Sequence, residues 1–142
     1  MVAKSLRVRQ LKSIGVIVLD LKNEFFASIV LEIESYFFSN SYSVFICNTN
    51  GEEEKEQEYL MSLDAKGVDG LIYISEKEDI STSSLQRDIP IVCIDRKPSI
   101  DENIAIVKSD NFDGGFLATE ELVSQGCKDI IIIKGRRKIS TT

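Results

Sequence analysis

Six short runs of β-branched and aliphatic residues recur along the chain, and they constrain its fold more than any other feature. Such runs, with little polar interruption, are typical of strands that are covered on both faces of a parallel sheet. Segments with helical spacing separate most of them, so the order predicts an α/β protein with a doubly wound, mostly parallel sheet. The predicted strands are Ile14–Leu19, Val44–Cys47, Val68–Ile74, Ile89–Ile94, Ile104–Val107 and Ile130–Ile133.

A short polar turn follows the first run and carries the first candidate ligand-binding residues. Asp20 and Asn23 can hydrogen-bond polar groups, and Phe25 and Phe26 offer flat apolar faces directly after them. Open α/β sheets bind ligands beyond the carboxyl ends of their strands, so a ligand is expected at this turn. Hydrogen-bonding side chains beside aromatic faces suit a sugar or another polyol. The alternative is that Asn23 only caps the next helix and both phenylalanines belong to the core.

A second candidate pair, Asp95 and Arg96, directly follows the fourth run. A carboxylate next to a guanidinium can hold neighbouring hydroxyl groups from both sides. Because the carboxyl ends of parallel strands meet at one edge of a sheet, this pair is expected at the same edge as Asn23 and Phe25. The alternative is a salt bridge with a structural role.

The segment Glu24–Asn40 has the spacing of an amphipathic helix. The face that packs on the sheet is predicted to comprise Phe26, Ile29 or Val30, Ile33 and Phe37. Phe25, Leu31 and Phe38 fall largely outside that face. A helix with apolar residues on more than one face is either deeply buried or packs a second face against a partner subunit.

The second helix is predicted to begin after Asn50 and to end at Gly67 as its C-cap. Asn50 with Glu53 three residues later resembles an N-cap arrangement. The acidic run Glu52–Glu58 is interpreted as a solvated first turn rather than a cation site.

Towards the end of the chain, residues 81–87 are expected to form a short polar helix or loop, and Asn111–Gln125 a third helix. No helix follows the last predicted strand, which is typical of a fragment.

Composition and missing motifs argue against several function classes. The net charge of −6 argues against a surface that binds nucleic acid by itself. The sequence contains no histidine, which is the commonest acid–base group and metal ligand. It also shows no glycine-rich nucleotide motif and no nucleophile elbow. We therefore expect no enzyme activity, no cofactor and no metal site.

The cysteines and the absence of export or membrane signals indicate a cytoplasmic protein. Cys47, Cys93 and Cys127 show no paired spacing and are interpreted as reduced core residues. No apolar run approaches the ~20 residues that span a bilayer. The basic start of the sequence lacks the apolar region of a signal peptide.

Taken in order, several segments resemble the effector-binding domain of the LacI/GalR (lactose repressor) family of transcriptional regulators. These segments are Ser5-Leu6-Arg7, Ile14–Val18 with Asn23, Phe25 and Phe26, Val68–Ile72, Ile89–Val92 with Asp95-Arg96, Ser109–Asn111, Gly114-Gly115, Ala118-Thr119, Leu122 and Gly126. Each match is short, but the ordered set covers nearly the whole chain.

The resemblance implies a periplasmic-binding-protein-like fold, in which two α/β lobes enclose a cleft that binds a small effector, commonly a sugar. Residues 1–13 would be a linker that follows a hinge helix. Residues 14–109 would form the N-terminal lobe, and residues 110–142 the first helix and strand of a truncated C-terminal lobe.

The resemblance also implies roles for the candidate residues and for partners. Asn23, Asp95 and Arg96 would hydrogen-bond the effector. Phe25 and Phe26 would stack on the effector or line its pocket. The first helix would contribute to a homodimer. Operator DNA would be bound only through a helix-turn-helix headpiece, which this sequence does not contain. A sugar-binding receptor of a transport system is the alternative function.

Overall fold

The part of the chain described by the structure, a computed structural model, comprises residues 11–74, 82–95 and 104–133. It forms one five-stranded parallel sheet with the strand order β2-β1-β3-β4-β5. The strands are β1 (Ser13–Val18), β2 (Ser43–Asn48), β3 (Gly70–Ile74), β4 (Ile91–Ile94) and β5 (Ile104–Val107), and the helices are α1 (Glu24–Ser39), α2 (Glu53–Lys66) and α3 (Asn111–Ser124). The predicted α/β class and parallel sheet are confirmed.

The sheet has hydrophobic clusters on opposite faces, one under α1 and one under α2. On the α1 side, Val30 packs with Val16, Val18 and Ile74. The cluster on the α2 side contains Leu60, Leu63, Ile17, Leu71, Tyr73, Ile91 and Cys93. Because consecutive helices cover opposite faces, the sheet is doubly wound, as predicted.

Strand β1 is buried along its whole length, since β2 and β3 flank it and a helix covers each face. Gly15 allows the closest approach of α2 to the sheet. A Cβ atom at this position would lie 2.7 Å from Leu63 Cδ1 and 2.8 Å from Leu71 Cδ2.

Helix α1 presents the predicted face to the sheet. Val30 is buried, and Phe26, Ile29, Ile33 and Phe37 pack around the same cluster. Leu31 and Phe38 are 67% and 74% exposed, which leaves a second apolar face without cover among the described residues.

The N-cap prediction for α2 is wrong, whereas its C-cap is confirmed. Glu52 occupies the N-cap position and makes no side-chain cap hydrogen bond. Asn50 instead has φ +53° in the turn before the helix, and its Oδ1 accepts a hydrogen bond from Asn48 Nδ2 at 2.7 Å. Gly67 ends the helix with φ +76°, a left-handed conformation that glycine adopts without strain.

Strands β3 and β4 begin two residues later than predicted, at Gly70 and Ile91. Before β4, Pro90 lacks the N–H group that a sheet ladder requires, although its carbonyl oxygen accepts a hydrogen bond from Leu71. Residues 82–90 form turns and irregular structure rather than a helix, and Ser81 lies outside the described residues.

The segment after β5 is the least packed part of the described chain. Helix α3 is capped by Asp110, whose Oδ1 accepts a hydrogen bond from Asp113 N at 3.0 Å, but it contains no buried residue. The predicted strand Ile130–Ile133 is wrong: it pairs with no described strand, and Ile131–Ile133 are at least 83% exposed. An apolar run becomes a strand only where a neighbouring strand accepts its backbone hydrogen bonds.

Candidate ligand-binding site

The strand order places a topological switch point at the carboxyl ends of β1 and β3. Helix α1 follows β1 on one face of the sheet, and Leu85, in the described part of the connection after β3, packs with the cluster on the other face. Open α/β sheets bind ligands at such a switch point. On the β1 side, the described turn of residues 19–23 leads into α1. On the β3 side, residues 75–81 lie outside the described part of the chain.

Asp20 and Asn23 shape this turn as well as exposing polar atoms there. Asp20 Oδ1 accepts a hydrogen bond from Lys22 N at 2.9 Å, and its carbonyl oxygen accepts one from Asn23 N at 3.2 Å. Asn23 is the N-cap of α1, because its Oδ1 accepts from Phe25 N at 3.0 Å. Within the described residues, Asp20 Oδ2 and Asn23 Nδ2 make no further hydrogen bond. Asn23 therefore caps α1, as in the alternative interpretation. Asp20 Oδ2 and Asn23 Nδ2 can still bind a ligand.

The two phenylalanines at the start of α1 occupy different environments. Phe25 is 58% exposed, whereas Phe26 is half-buried against the cluster under α1. Their ring centroids lie 5.6 Å apart with an interplanar angle of 61°, so Phe26 supports Phe25 edge to face. Phe25 thus offers an apolar face to solvent, while Phe26 has the core role of the alternative interpretation.

Asp95 lies at the same carboxyl edge, directly after β4. It is half-buried and has φ +71°, and its backbone N–H donates to Val107 O at 2.7 Å. Strand β3 separates β4 from β1, so Asp95 stands further along the edge from Asn23. Arg96 lies outside the described residues, so the predicted Asp95–Arg96 pair stays a prediction.

Asn48, at the end of β2, was not among the predicted site residues, although it contacts the turn directly. Its Oδ1 accepts a hydrogen bond from Leu21 N at 3.0 Å across a sequence separation of 27 residues. The same strand-end rule that selected Asp95 could have selected Asn48, since it is the polar residue that ends the second apolar run.

Two ionisable side chains of β3 and β4, Tyr73 and Cys93, are buried in the cluster on the α2 side of the sheet. Burial raises the pKa of the Cys93 thiol to about 11, and burial, with the Glu56 carboxylate adding to it, raises the pKa of Tyr73. Both groups are therefore neutral at pH 7. Of the cysteines predicted as core residues, Cys47 and Cys93 are buried, whereas Cys127 is exposed. The carboxyl edge of the sheet can offer hydrogen bonds and an aromatic face to a neutral polar ligand.

A cavity of about 100 Å³ lies away from this edge, near the amino ends of β4 and β5. Its lining includes Leu85, Asp88, Ile91 and Ile104. Thr82 and Arg87 add polar groups to this lining, but none of its described residues offers an aromatic face like that of Phe25 at the carboxyl edge. It provides a competing location against which the predicted site can be tested.

Comparison with known proteins decides the family. Residues 11–142 match the family described as periplasmic binding proteins and the sugar binding domain of the LacI family. The chain belongs to this family. It is 37% identical over 143 residues to the HTH-type transcriptional repressor PurR of Histophilus somni, covering 99% of this chain and 43% of that protein. It is 38% identical over 145 residues to the ribose operon repressor of Halalkalibacterium halodurans, covering 98% of this chain and 41% of that protein.

A LacI-type structure with a bound sugar is among the structural neighbours. It is the periplasmic binding protein/LacI transcriptional regulator of Alkaliphilus metalliredigens, complexed with D-xylulofuranose. The TM-score is 0.67 at 34% identity, and the match covers 83% of this chain and 43% of that protein. The recognised resemblance to the LacI family and the periplasmic-binding-protein-like fold are thereby confirmed.

The LacI-family relatives are transcriptional repressors, and the chain spans about 43% of the length of the first of them. Two negative findings accompany this match. In residues 11–74, 82–95 and 104–133, no helix is long and apolar enough to cross a membrane. The same residues contain no group of three or more cysteines or carboxylates arranged to hold a metal ion.

Proposed function

We propose that this chain is part of the sensor of a LacI-type transcriptional regulator and that it binds a sugar at the carboxyl edge of its sheet. The observation that carries the proposal is the turn after β1, where Asn23 Nδ2, which makes no hydrogen bond within the described residues, lies near the exposed ring of Phe25. The sugar-bound LacI-type relative supports the ligand class.

A sugar suits this edge for chemical reasons. Its hydroxyl groups donate and accept hydrogen bonds, which Asp20, Asn23 and Asp95 can make, and Arg96 is proposed to add donors. The C–H face of a sugar ring packs on an aromatic side chain, for which Phe25 is exposed and Phe26 provides support. None of these roles requires a cofactor, a metal ion or enzyme activity.

The domain boundaries belong to the same proposal. The predicted linker of residues 1–13 overlaps β1 by one residue, because Ser13 is buried in that strand. We therefore propose that the linker ends at Lys12, that residues 13–109 form the N-terminal lobe, and that residues 110–142 begin a second lobe. Two observations support the second boundary: β5 ends the sheet at Val107, and every residue from Val107 to Ile133 is exposed.

DNA binding is proposed for a whole regulator rather than for this chain alone. The relatives are HTH-type and operon repressors, and this chain has a net charge of −6. A negatively charged lobe has little attraction for DNA phosphates, so a separate headpiece would contact the operator. For a regulator that binds operator DNA we propose a cytoplasmic location.

The apolar outer face of α1 supports a homodimer. Leu31 and Phe38 are seven residues apart and therefore lie on the same side of the helix, and both are exposed. Ile46 is 43% exposed on edge strand β2, on the sheet face that α1 covers. A second copy of the chain could bury these side chains across a twofold axis.

A transport receptor remains the second candidate function, because the matched family also includes periplasmic binding proteins. The relatives named as repressors favour the regulator. A signal peptide encoded upstream of this segment would favour the receptor, and a helix-turn-helix encoded there would favour the regulator.

Sugar binding is tested by saturation-transfer difference NMR of the chain with D-ribose, D-xylulose and sucrose. We expect transfer to at least one sugar and its loss in Phe25→Ala. Phe38→Ala is the matched control, because it removes an exposed ring from the other end of α1. Transfer that survives in Phe25→Ala, or no transfer to any sugar in the wild type, would contradict the proposed site.

Dimerisation is tested by sedimentation velocity over a range of concentrations. Leu31→Glu should shift a dimer towards monomer, because it places a charge in the apolar face. Met61→Glu is the control on the outer side of α2, where Met61 is 51% exposed. Equal association of Leu31→Glu and the wild type would exclude this face as the interface.

A further inference from the structure

We propose that Asn48 is a positioning residue of the ligand-binding edge, holding the β1–α1 turn in the conformation that presents Asn23 and Phe25. This inference rests on the proposed sugar site and adds a residue that does not itself contact the sugar. The observation that carries it is the hydrogen bond from Leu21 N to Asn48 Oδ1, 3.0 Å long.

The other hydrogen bonds within the turn are local and cannot fix its position relative to the sheet. Lys22 N and Asn23 N both donate to Asp20, and Phe25 N donates to Asn23. These bonds connect residues two or three positions apart, so they would move together if the turn moved as a unit.

Two longer-range bonds hold the turn from opposite sides of β1. On the β3 side, Leu19 N donates to Ile74 O at 3.0 Å. On the β2 side, the strand pairing ends where Val18 faces Asn48, and the Asn48 side chain continues it by reaching Leu21 N. Val18 O also accepts a hydrogen bond from Thr49 N at 2.9 Å where β1 ends, so the Asn48 side chain supplies the one described hydrogen bond from residues 20–23 to β2.

The chemistry of the contact requires an amide-sized acceptor. Asn48 Oδ1 faces a donor, while its Nδ2 donates to Asn50 Oδ1 at 2.7 Å, so the amide is held in one orientation. An aspartate at position 48 would keep the acceptor for Leu21, and the Asn50 amide could rotate to donate to it. An alanine at position 48 would remove both contacts.

The first experiment measures amide hydrogen exchange of Leu21 by NMR in the chain without ligand. Asn48→Ala should speed Leu21 exchange about fivefold, as expected for one lost hydrogen bond of typical strength. Asn48→Asp should exchange at nearly the wild-type rate. Asn40→Ala is the control, since Asn40 lies at the other end of α1, where its side chain bonds Tyr36 O.

The second experiment measures sugar affinity by NMR titration with D-ribose and D-xylulose. Asn48→Ala should raise the Kd about fivefold or more, and Asn48→Asp should stay within about twofold of the wild type. Thermal unfolding of each variant shows whether a change in Kd comes from loss of the fold. If Asn48 acted only through the stability of the fold, Asn48→Asp would not restore the wild-type Kd.

The outcomes separate this inference from the proposed function. If the wild type binds a sugar and Asn48→Ala binds it equally well, the positioning role is overturned and the sugar site stands. Unchanged Leu21 exchange in Asn48→Ala also overturns the positioning role. If the wild type binds neither sugar, nor any other sugar tested, the proposed function fails and the positioning role fails with it.

Discussion

Replacing Asp64 with alanine should destabilise the fold, because Asp64 fastens the segment before β4 to helix α2. Asp64 is 9% exposed, and its Oδ2 accepts a hydrogen bond from Gln86 N at 2.7 Å. Its Oδ1 accepts one from Arg87 Nε at 2.8 Å, and Arg87 also donates to Val68 O at 3.2 Å. The carboxylate therefore joins α2 to the segment before β4, and Arg87 extends this contact to Val68.

The magnitude follows from these contacts. A hydrogen bond to a charged group contributes about 1.5–3 kcal/mol when it is buried. Gln86 is exposed and the Arg87 side chain is 43% exposed, so water and solvent screening reduce the two bonds of Asp64 to about 2 kcal/mol together. Alanine favours the helix over aspartate by about 0.5 kcal/mol, which leaves a net loss of about 1.5 kcal/mol.

This stabilisation should depend on pH in the acid range. The Gln86 backbone N–H lowers the pKa of Asp64, and Arg87 adds to this effect against the opposing effect of burial. Because the pKa is lower in the folded than in the unfolded protein, the contribution is fully present above pH of about 4. It should disappear as the pH falls from there through the folded-state pKa.

Urea unfolding at pH 7 and at acid pH measures both effects. With a urea m-value of about 1–3 kcal/mol/M, Asp64→Ala should lower the midpoint at pH 7 by about 0.5–1.5 M. Below pH 4 the midpoints of Asp64→Ala and the wild type should converge. Asp88→Asn, an exposed carboxylate in the same segment, is the control and should change stability by less than about 0.5 kcal/mol. Equal midpoints for Asp64→Ala and the wild type at pH 7 would show that the hydrogen bonds of Asp64 do not stabilise the fold.

Three further predictions concern packing, backbone conformation and thiol chemistry. Gly15→Ala should lower the free energy of unfolding by about 1–2 kcal/mol in urea titrations, because its Cβ would lie 2.7 Å from buried Leu63 Cδ1; an unchanged midpoint would show that α2 shifts at no cost. Ser41→Gly should raise the melting temperature, since Ser41 has φ +63° after α1 and glycine removes strain of about 1 kcal/mol; a lower melting temperature would contradict this. At pH 8, Ellman's reagent should modify exposed Cys127 quickly and buried Cys93, whose pKa is raised to about 11, slowly; a fast reaction assigned to Cys93 by mass spectrometry would contradict its burial.

The sequence predicted the sheet and its helices well where the hydrophobic pattern alone determines the structure. The helical spacing of Val30 and Phe37 identified the buried face of α1, and the apolar run from Ile14 identified the central strand. Such patterns indicate which side chains are buried, and this does not depend on the details of the neighbouring elements.

Predictions that depend on a particular hydrogen-bond partner failed. The isoleucines at 130–133 have the composition of a strand, but no described strand pairs with them. Asn50 resembled an N-cap, yet its amide bonds Asn48 in a turn with positive φ. The strand-end rule could have selected Asn48, but local spacing does not show that its partner is Leu21, 27 positions away.

The location of the candidate site could be predicted from the sequence, but the individual roles of its residues could not. The strand-end rule placed Asp20, Asn23 and Asp95 at one edge of the sheet, as the topology shows. It could not tell that Asn23 also caps α1, or that Phe25 is exposed while Phe26 packs inward.

Chemical-shift mapping with a bound sugar locates the ligand on the chain. In a ¹⁵N-labelled sample titrated with D-ribose or D-xylulose, we expect the largest shifts on the amides of residues 20–26 and of Asn48 and Asp95. Shifts centred on Leu85, Asp88 and Ile91 would place the ligand in the cavity at the opposite edge and contradict the proposed site. The absence of any saturable shift with either sugar would contradict sugar binding by this chain.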